Sequence, residues 1–336
     1  MPVGRDDPGR WRRRAVTLPG AFTLAALLVA TLPLTLPLLA LRDALARRRL
    51  AWTRALAYVA WYALCECAGI TAALVAWLLR PVLGPSRYVA FHYAMQRAWI
   101  AALTGGMLRA FSMRLEVEGA DATTEGPFLA LVRHSSTADV LLPIAVIGIP
   151  RRMRPRYVLK AENRWDPCLD VVGHRLPNAF IRRGGGAQEA ARVGGLADGL
   201  GPRDFVVIYP EGTRFSSGKL AARVAELAQR DDPLLPLARA LTSTLPPRPG
   251  AVLELLERAA GVDVVFLAHV GLDGVRTFDD VFSGALIGAR VQVGLWRIPA
   301  RELPTDASDR ASWLFEQWVR VDQWVAARVR STSPPR

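Results

Sequence analysis

Residues 128–148 read FLALVRHSSTADVLLPIAVIG. The unbroken apolar run Phe128–Val132 fits a strand buried on both faces, which is how α/β sheets build their centres. That strand delivers His134 into a Ser/Thr turn that can cap a helix over Ser136–Ile147, with Asp139 on the helix's first turn. With the histidine just ahead of the cap, the carboxylate can fold back to the imidazole. It would then fix one tautomer and stabilise the imidazolium formed when the ring takes a proton. The sequence contains no Ser or Cys nucleophile elbow, so the proton would come from a substrate hydroxyl. Taken alone, a core histidine beside an ordinary helix-start acid reads the same way.

Residues 204–220, DFVVIYPEGTRFSSGKL, repeat the arrangement. A buried strand over Phe205–Tyr209 ends at Pro210 and runs into Glu211, Gly212, Thr213 and Arg214, and strand ends are where α/β sheets gather ligands. Arg214 offers a planar fork matched to phosphate, Thr213 a hydroxyl donor and Gly212 close backbone approach. Around these two blocks, short β-branched runs predict strands at Met113–Val117, Tyr157–Lys160, Ala179–Ile181, Val264–Leu267 and Val291–Ile298. Helices are predicted over Ala187–Leu200, Ala251–Ala259 and Ser312–Arg328. The last carries Leu314, Trp318, Val321 and Val325 at helical spacing, a packing stripe. Residues 217–250, rich in Pro, Arg and Leu, read as an irregular insertion. The whole is an α/β rhythm.

Upstream the composition changes. Residues 17–41 carry no charge and can cross a hydrocarbon core of ~30 Å as a helix; residues 55–79 are apolar apart from Glu66. The first run is too long for a signal-peptide core, and Pro33 and Pro37 interrupt its second half. Arginines flank every end, among them Arg12, Arg13, Arg14, Arg47, Arg48, Arg49 and Arg80. A two-span hairpin with its loop outside satisfies that pattern poorly, and a shallow arrangement bent at the proline pair and at Glu66–Gly69 stands evenly beside it. Over all 336 residues, 51% are hydrophobic against 22% charged, a middle value that suits a membrane-attached enzyme. The net charge of +13 favours phosphate esters, nucleic acid or an anionic bilayer as partners. Cys65, Cys67 and Cys168 make neither a disulfide framework nor a zinc site, and metal-ligand spacing is absent.

HSSTAD at 134–139 and PEGTR at 210–214, in that order and separation, resemble the glycerolipid acyltransferase family of 1-acylglycerol-3-phosphate acyltransferases. The likeness continues through KAENRWDPCLDVVGHRLPNAFIRR, 160–183, and VVFLAHVGLDGVRTFDDVFSG, 264–284. With the paired hydrophobic runs upstream it is most similar to the lysocardiolipin acyltransferase-like branch. The resemblance implies an α/β acyltransferase domain with a central mixed sheet flanked by helices, over residues 85–300. Residues 1–84 would be a two-segment helical membrane anchor, and residues 301–336 a C-terminal amphipathic helix and tail.

It further implies transfer of a fatty acyl group from acyl-CoA or acyl carrier protein to the hydroxyl of a lysophospholipid, with no cofactor. His134 would be the general base and Asp139 its partner; Glu211, Gly212, Thr213 and Arg214 would hold the glycerol phosphate. Arg182 and Arg183 would add charge there, and Lys160 would approach the donor's phosphates. Where the family often has Asn before the histidine and an acid after the Phe-Ile pair, this chain has Arg133 and Arg182, both adding positive charge near the phosphate. The family's proline is missing from FLAHVGL, and His269 there reads as a structural strand-end residue. His92 and His174 have weaker claims, and Asp166 and Cys168 read as structural. Expected partners are membrane lipids and the acyl donor, with the active face on the cytoplasmic side of the membrane. A non-catalytic module that binds anionic lipid is the competing class. Nucleic-acid binding has charge alone in its favour, and a lysophospholipase lacks its nucleophile.

Overall fold

The computed structural model describes residues 7, 9–182, 184 and 186–332. Its strands are β1 (Arg114–Glu118), β2 (Phe128–Val132), β3 (Arg154–Lys160), β4 (Ala179–Ile181), β5 (Asp204–Ile208), β6 (Asp263–Val270) and β7 (Arg290–Ile298). The helices are α1 (Arg10–Leu45), α2 (Ala51–Leu78), α3 (Arg80–Ala110), α4 (Pro167–Gly173), α5 (Gly186–Gly194), α6 (Ser217–Gln229), α7 (Leu235–Arg239), α8 (Pro249–Arg258) and α9 (Ala307–Thr332). The chain packs as two compact units, one of Met1–Arg114, Leu159–Arg183 and Phe278–Ala289, the other of Leu115–Val158, Gly184–Thr277 and Arg290–Arg336. These bounds differ from the sequence division at residues 84 and 300.

The strands form one sheet in the order β1-β7-β6-β2-β5-β3-β4. Neighbours β6, β2, β5 and β3 run parallel, and β7 is antiparallel to β6, so the sheet is mixed as expected. Each expected strand is present, β3 and β6 longer than predicted. β2 and β5 are buried at every residue, because helices and loops cover both faces of the parallel centre. In the second unit, α9 lays Leu314, Trp318, Val321 and Val325 into the core, all fully buried.

Three helical expectations need correction. Residues 136–147 are not a regular helix: a 3-10 turn at Asp139–Leu141 leads into a π turn at Ile144–Gly148, and Ser136 does not cap it. Its hydroxyl donates to the Val275 carbonyl at 2.6 Å and accepts from Ala138 N–H. The stretch read as an irregular insertion forms α6 and α7. Residues 80–110, not assigned to a helix from sequence, form α3, which is kinked at Gly84, where φ is +70°.

In the first unit, α1 and α2 are long and apolar enough to cross a membrane by length and composition. Of α1 only Ala25 and Asp43 are buried, while Leu24, Leu27, Leu34, Leu38 and Leu41 are exposed. An apolar surface of that extent suits a bilayer. The bends of the shallow alternative have no counterpart in the helices. α1 continues through Pro33 and Pro37, and Glu66 and Gly69 sit inside an unbroken α2. Both are packing devices against α4: Glu66 Oε2 accepts Cys168 N–H at 3.0 Å, and a β-carbon at Gly69 would stand 2.5 Å from Cys168 Sγ. Tyr62 donates to Asp166 at 2.5 Å, and Arg175 donates to the Ala73 carbonyl at 2.6 Å. The Trp61 indole N–H reaches the Ala102 carbonyl at 2.9 Å and ties α2 to α3.

The same unit explains why the N-terminal flank is basic. Arg13 and Arg14 each reach a carboxylate oxygen of the fully buried Asp170 side chain at 2.6 Å. Their charge therefore neutralises a buried acid, and they drop out of any topology count. Asp7, Asp170 and His174 lie close enough to suggest a cation site, but Arg13, Arg14 and Arg164 already engage the two carboxylates. Burial opposes the Asp170 charge, yet hydrogen bonds from His174 and Arg14 outweigh it and hold its carboxyl down at about 2.

Asp170→Asn is therefore expected to cost about 3 kcal/mol, the usual penalty for breaking a buried pair, read as a lower unfolding midpoint in detergent. The wild-type contribution should be complete above the unfolded value of 3.8 and vanish as pH falls through about 2. The variant's unfolding should lack that acid-side decay.

Candidate active site

In the second unit, β6, β2 and β5 lie side by side and parallel, with Val132 opposite Leu267 and Leu131 opposite Ile208. Their C-terminal ends lie at the same edge of the sheet, β6 running three residues beyond β2. β2 exits into Arg133 and His134, β5 into Tyr209–Arg214, and β6 carries His269 one residue before its end. Three strand ends thus bring together residues far apart in the chain.

His134 is nearly buried and turns Nδ1 to Asp139, 3.0 Å from Oδ1 and 3.2 Å from Oδ2. Among the described residues no hydrogen bond engages the opposite ring nitrogen, Nε2. Asp139 is fully buried, and its Oδ2 accepts the backbone N–H groups of Ser135 at 2.7 Å and Ser136 at 2.8 Å. Burial works to raise its pKa, but the hydrogen bonds from His134 and His269 prevail and hold the carboxyl well below the ordinary range. A carboxylate so fixed keeps the proton on Nδ1 and offsets the charge of an imidazolium. The Tyr209 ring packs against His134, with centroids 4.8 Å apart.

Glu211, read from sequence as a phosphate-binding residue, has both oxygens engaged by backbone: its Oε1 accepts His134 N–H at 2.8 Å and its Oε2 accepts Leu245 N–H at 2.9 Å, with the side chain fully buried. Burial pushes its carboxyl up to about 8, against the pull of those N–H groups and of Arg133. On the other side of the loop, Phe215 N–H donates to the His134 carbonyl at 2.9 Å. Gly212, Thr213 and Arg214 are therefore pinned at both ends to the backbone of the catalytic candidate. Gly212 has φ +65°, which a side chain would strain. Thr213 accepts from Lys219 Nζ at 3.2 Å, and Arg214 donates to the Arg276 carbonyl.

Two further residues depart from expectation. Arg133 does not add charge to the loop. Its side chain is buried, donating to the carbonyls of His269 at 2.7 Å and Ser243 at 3.1 Å and pairing with Asp273 at 2.6 Å. Adjacent residues leaving a strand point to opposite sides, so His134 and Arg133 serve different surfaces. His269, read as structural, is fully buried; its Nε2 lies 3.0 Å from the Arg133 carbonyl and 3.5 Å from Asp139 Oδ2. It is a second imidazole on the same carboxylate. No spacing rule links residue 269 to residue 139; only the β2–β6 register brings them together.

Asp322 of α9 also escaped sequence reading. It accepts the N–H groups of Thr242 and Ser243 and the Thr244 hydroxyl at 2.7–3.1 Å, holding the turn that supplies Leu245 N–H to Glu211. Lys160 and Arg182 belong to the first unit, at the end of β3 and just past β4. Arg183 lies outside the described residues. His92 and His174 are also in the first unit, His92 with the Tyr88 carbonyl and Arg175, and His174 with Asp170.

Residues 114–262 match the family model described as Acyltransferase, a span that contains His134, Asp139 and the Gly212–Arg214 loop. Over that stretch the chain is similar to the acyltransferase family. The resemblance drawn from HSSTAD and PEGTR is thereby borne out. None of the curated proteins matches this chain. A solved structure of the 1-acyl-sn-glycerophosphate (LPA) acyltransferase PlsC from Thermotoga maritima is similar at 15% identity and a TM-score of 0.41, covering 76% of this chain and 96% of that one. A superposition that loose adds nothing to the family match.

Because both Glu211 oxygens are engaged by backbone and the side chain is fully buried, Glu211→Gln should lower kcat and leave the acceptor KM within about twofold. Steady-state kinetics over acceptor concentration distinguish this from a binding role, in which KM would rise with kcat preserved.

Proposed function

We propose that the protein moves a fatty acyl group from a thioester, acyl-CoA or acyl carrier protein, to the free hydroxyl of a lysophospholipid. The acceptor we favour is 1-acylglycerol-3-phosphate, giving phosphatidic acid. The observation that carries this reading is the buried His134–Asp139 pair bonded through the His134 backbone to both ends of the Gly212–Arg214 loop. A general base and a phosphate fork held on one rigid turn suit an acceptor that has a hydroxyl and a phosphate a few bonds apart.

In the reaction, His134 Nε2 takes the acceptor's hydroxyl proton as the oxygen attacks the thioester carbonyl carbon. The new C–O bond forms, the C–S bond breaks, and the imidazolium returns its proton to the departing sulfur. Asp139 stays ionised throughout and stabilises the imidazolium. Gly212, Thr213 and Arg214 hold the acceptor phosphate. Lys160, Arg182 and Arg183 are the further cations we assign to the substrates' phosphates. With α1 and α2 in the bilayer, the site would work at the cytoplasmic membrane surface, where thioester donors and lysolipids meet.

Other lysophospholipids, lysocardiolipin among them, present the same hydroxyl and phosphate. A non-catalytic lipid binder would share the basic charge but has no use for the dyad.

Membranes containing the protein should transfer label from acyl-CoA to a lysophospholipid panel, and His134→Ala should reduce transfer by ~10²- to 10⁴-fold. Undiminished transfer by His134→Ala would remove the histidine from the mechanism. Binding of anionic lipid without transfer from either donor would favour the non-catalytic module.

A further inference from the structure

The Gly212–Arg214 loop meets more positive charge than one phosphate requires. Arg223, on α6, is half-buried and donates to the Glu211 carbonyl at 3.3 Å. Arg248, just before α8, donates its backbone N–H to the Pro210 carbonyl at 2.8 Å. Its side chain crosses the face of Gly212, where Cδ and Nε would lie 3.3 and 3.6 Å from a β-carbon. Both arginines therefore flank the loop that carries Arg214.

The acids nearby are already committed. Glu211 turns inward to two backbone N–H groups, and Glu226, one turn along α6 from Arg223, pairs with Arg230 at 2.9 Å. Among the described residues neither Arg223 nor Arg248 forms an ion pair with a carboxylate. Burial, and then the charge of Arg248, both act against the charged form of Arg223. Glu226 and Glu211 offset part of the repulsion between the two guanidinium groups without pairing with either, and an anion between them would remove the rest while taking up their forked donors.

We propose that Arg223 and Arg248 form a second phosphate-binding position beside the Gly212–Arg214 loop, so that this site engages two phosphates at once. The proposal rests on the acyl-transfer reading for its substrates and extends it. The second phosphate has two possible sources, an acceptor with two phosphate groups of the lysocardiolipin type or the phosphates of a CoA donor. Its Arg-lined, open position beside Gly212 fits either.

The test separates the site from the reaction. Equilibrium dialysis of labelled pyrophosphate and of inorganic phosphate against the full-length protein in detergent reads binding without turnover. Wild type should prefer pyrophosphate, and the double variant Arg223→Gln, Arg248→Gln should lose about tenfold in pyrophosphate affinity, the order of a lost charge-assisted contact. Its inorganic phosphate binding through Arg214 should persist. Arg223→Lys with Arg248→Lys should recover part of the pyrophosphate affinity, which a misfolded protein would not. Unchanged pyrophosphate affinity in the double Gln variant overturns the proposal, as does equal loss for both anions.

Kinetics then identify the source. A raised KM for acyl-CoA with acyl-pantetheine unaffected assigns the second phosphate to the donor. A raised KM for a two-phosphate lysolipid with 1-acylglycerol-3-phosphate unaffected assigns it to the acceptor. Arginine-dependent pyrophosphate binding in a protein that transfers no acyl group would leave the site standing and refute the acyl-transfer reading alone.

Discussion

A carboxylate cut off from water stays charged only where donors meet it, and much of the second unit serves to meet Asp139. His134 Nδ1, Ser135 N–H and Ser136 N–H all converge on it, with His269 at 3.5 Å. Leaving such a charge unpaired costs several kcal/mol, about as much as a small domain can spare. This requirement shapes the turn after β2. Asp139 Oδ2 draws in the Ser135 and Ser136 N–H groups, and the chain continues as a 3-10 turn over Asp139–Leu141. The same contact decides which histidine nitrogen carries the proton, so local fold and catalytic readiness have one cause.

The second constraint is the way the two motifs are joined. Glu211 belongs by sequence to the PEGTR block and by contact to the histidine block. Its carboxylate bridges His134 N–H and Leu245 N–H, while Phe215 closes the loop from the other side. Leu245 in turn stands on a turn fixed by Asp322 of α9. Support thus runs from the C-terminal helix through a buried acid to His134, the base we propose, and the motif's acid is engaged by backbone N–H groups on both oxygens. Arg133 follows the same logic, its charge being spent on Asp273 and two carbonyls beneath the site.

Much of this was legible in the sequence where one physical signal dominated. The short apolar runs marked every strand, most plainly β2 and β5, because buried parallel strands need continuous apolar residues. The stripe on α9 announced its buried face, and the charge-free stretch 17–41 announced α1. What failed depended on partners remote in the chain. Ser136 resembles a helix cap, but the turn begins three residues later, at Asp139. Pro33 and Pro37 look like breaks, yet α1 runs through them. Glu66 and Gly69 look like a bend until Cys168 is seen packed on both. Arg133 looks like surface charge because sequence records adjacency and not direction. α6 and α7 were hidden by the prolines and arginines around them, since neither buries a long apolar stripe. The pairing of His269 with Asp139 had no local signal.

The central claim is that the charge on Asp139 makes His134 a base. The most direct test is single-turnover acyl transfer by Asp139→Asn with saturating lysophospholipid, beside the wild type in the same membranes. The asparagine keeps the size of the side chain and can still accept from the Ser135 and Ser136 N–H groups, but it cannot stabilise an imidazolium. The account predicts a rate lowered by about 10²- to 10⁴-fold with acceptor binding retained. A rate within a few-fold of wild type would contradict it, because the buried carboxylate would then be structural and the proton would leave by another route.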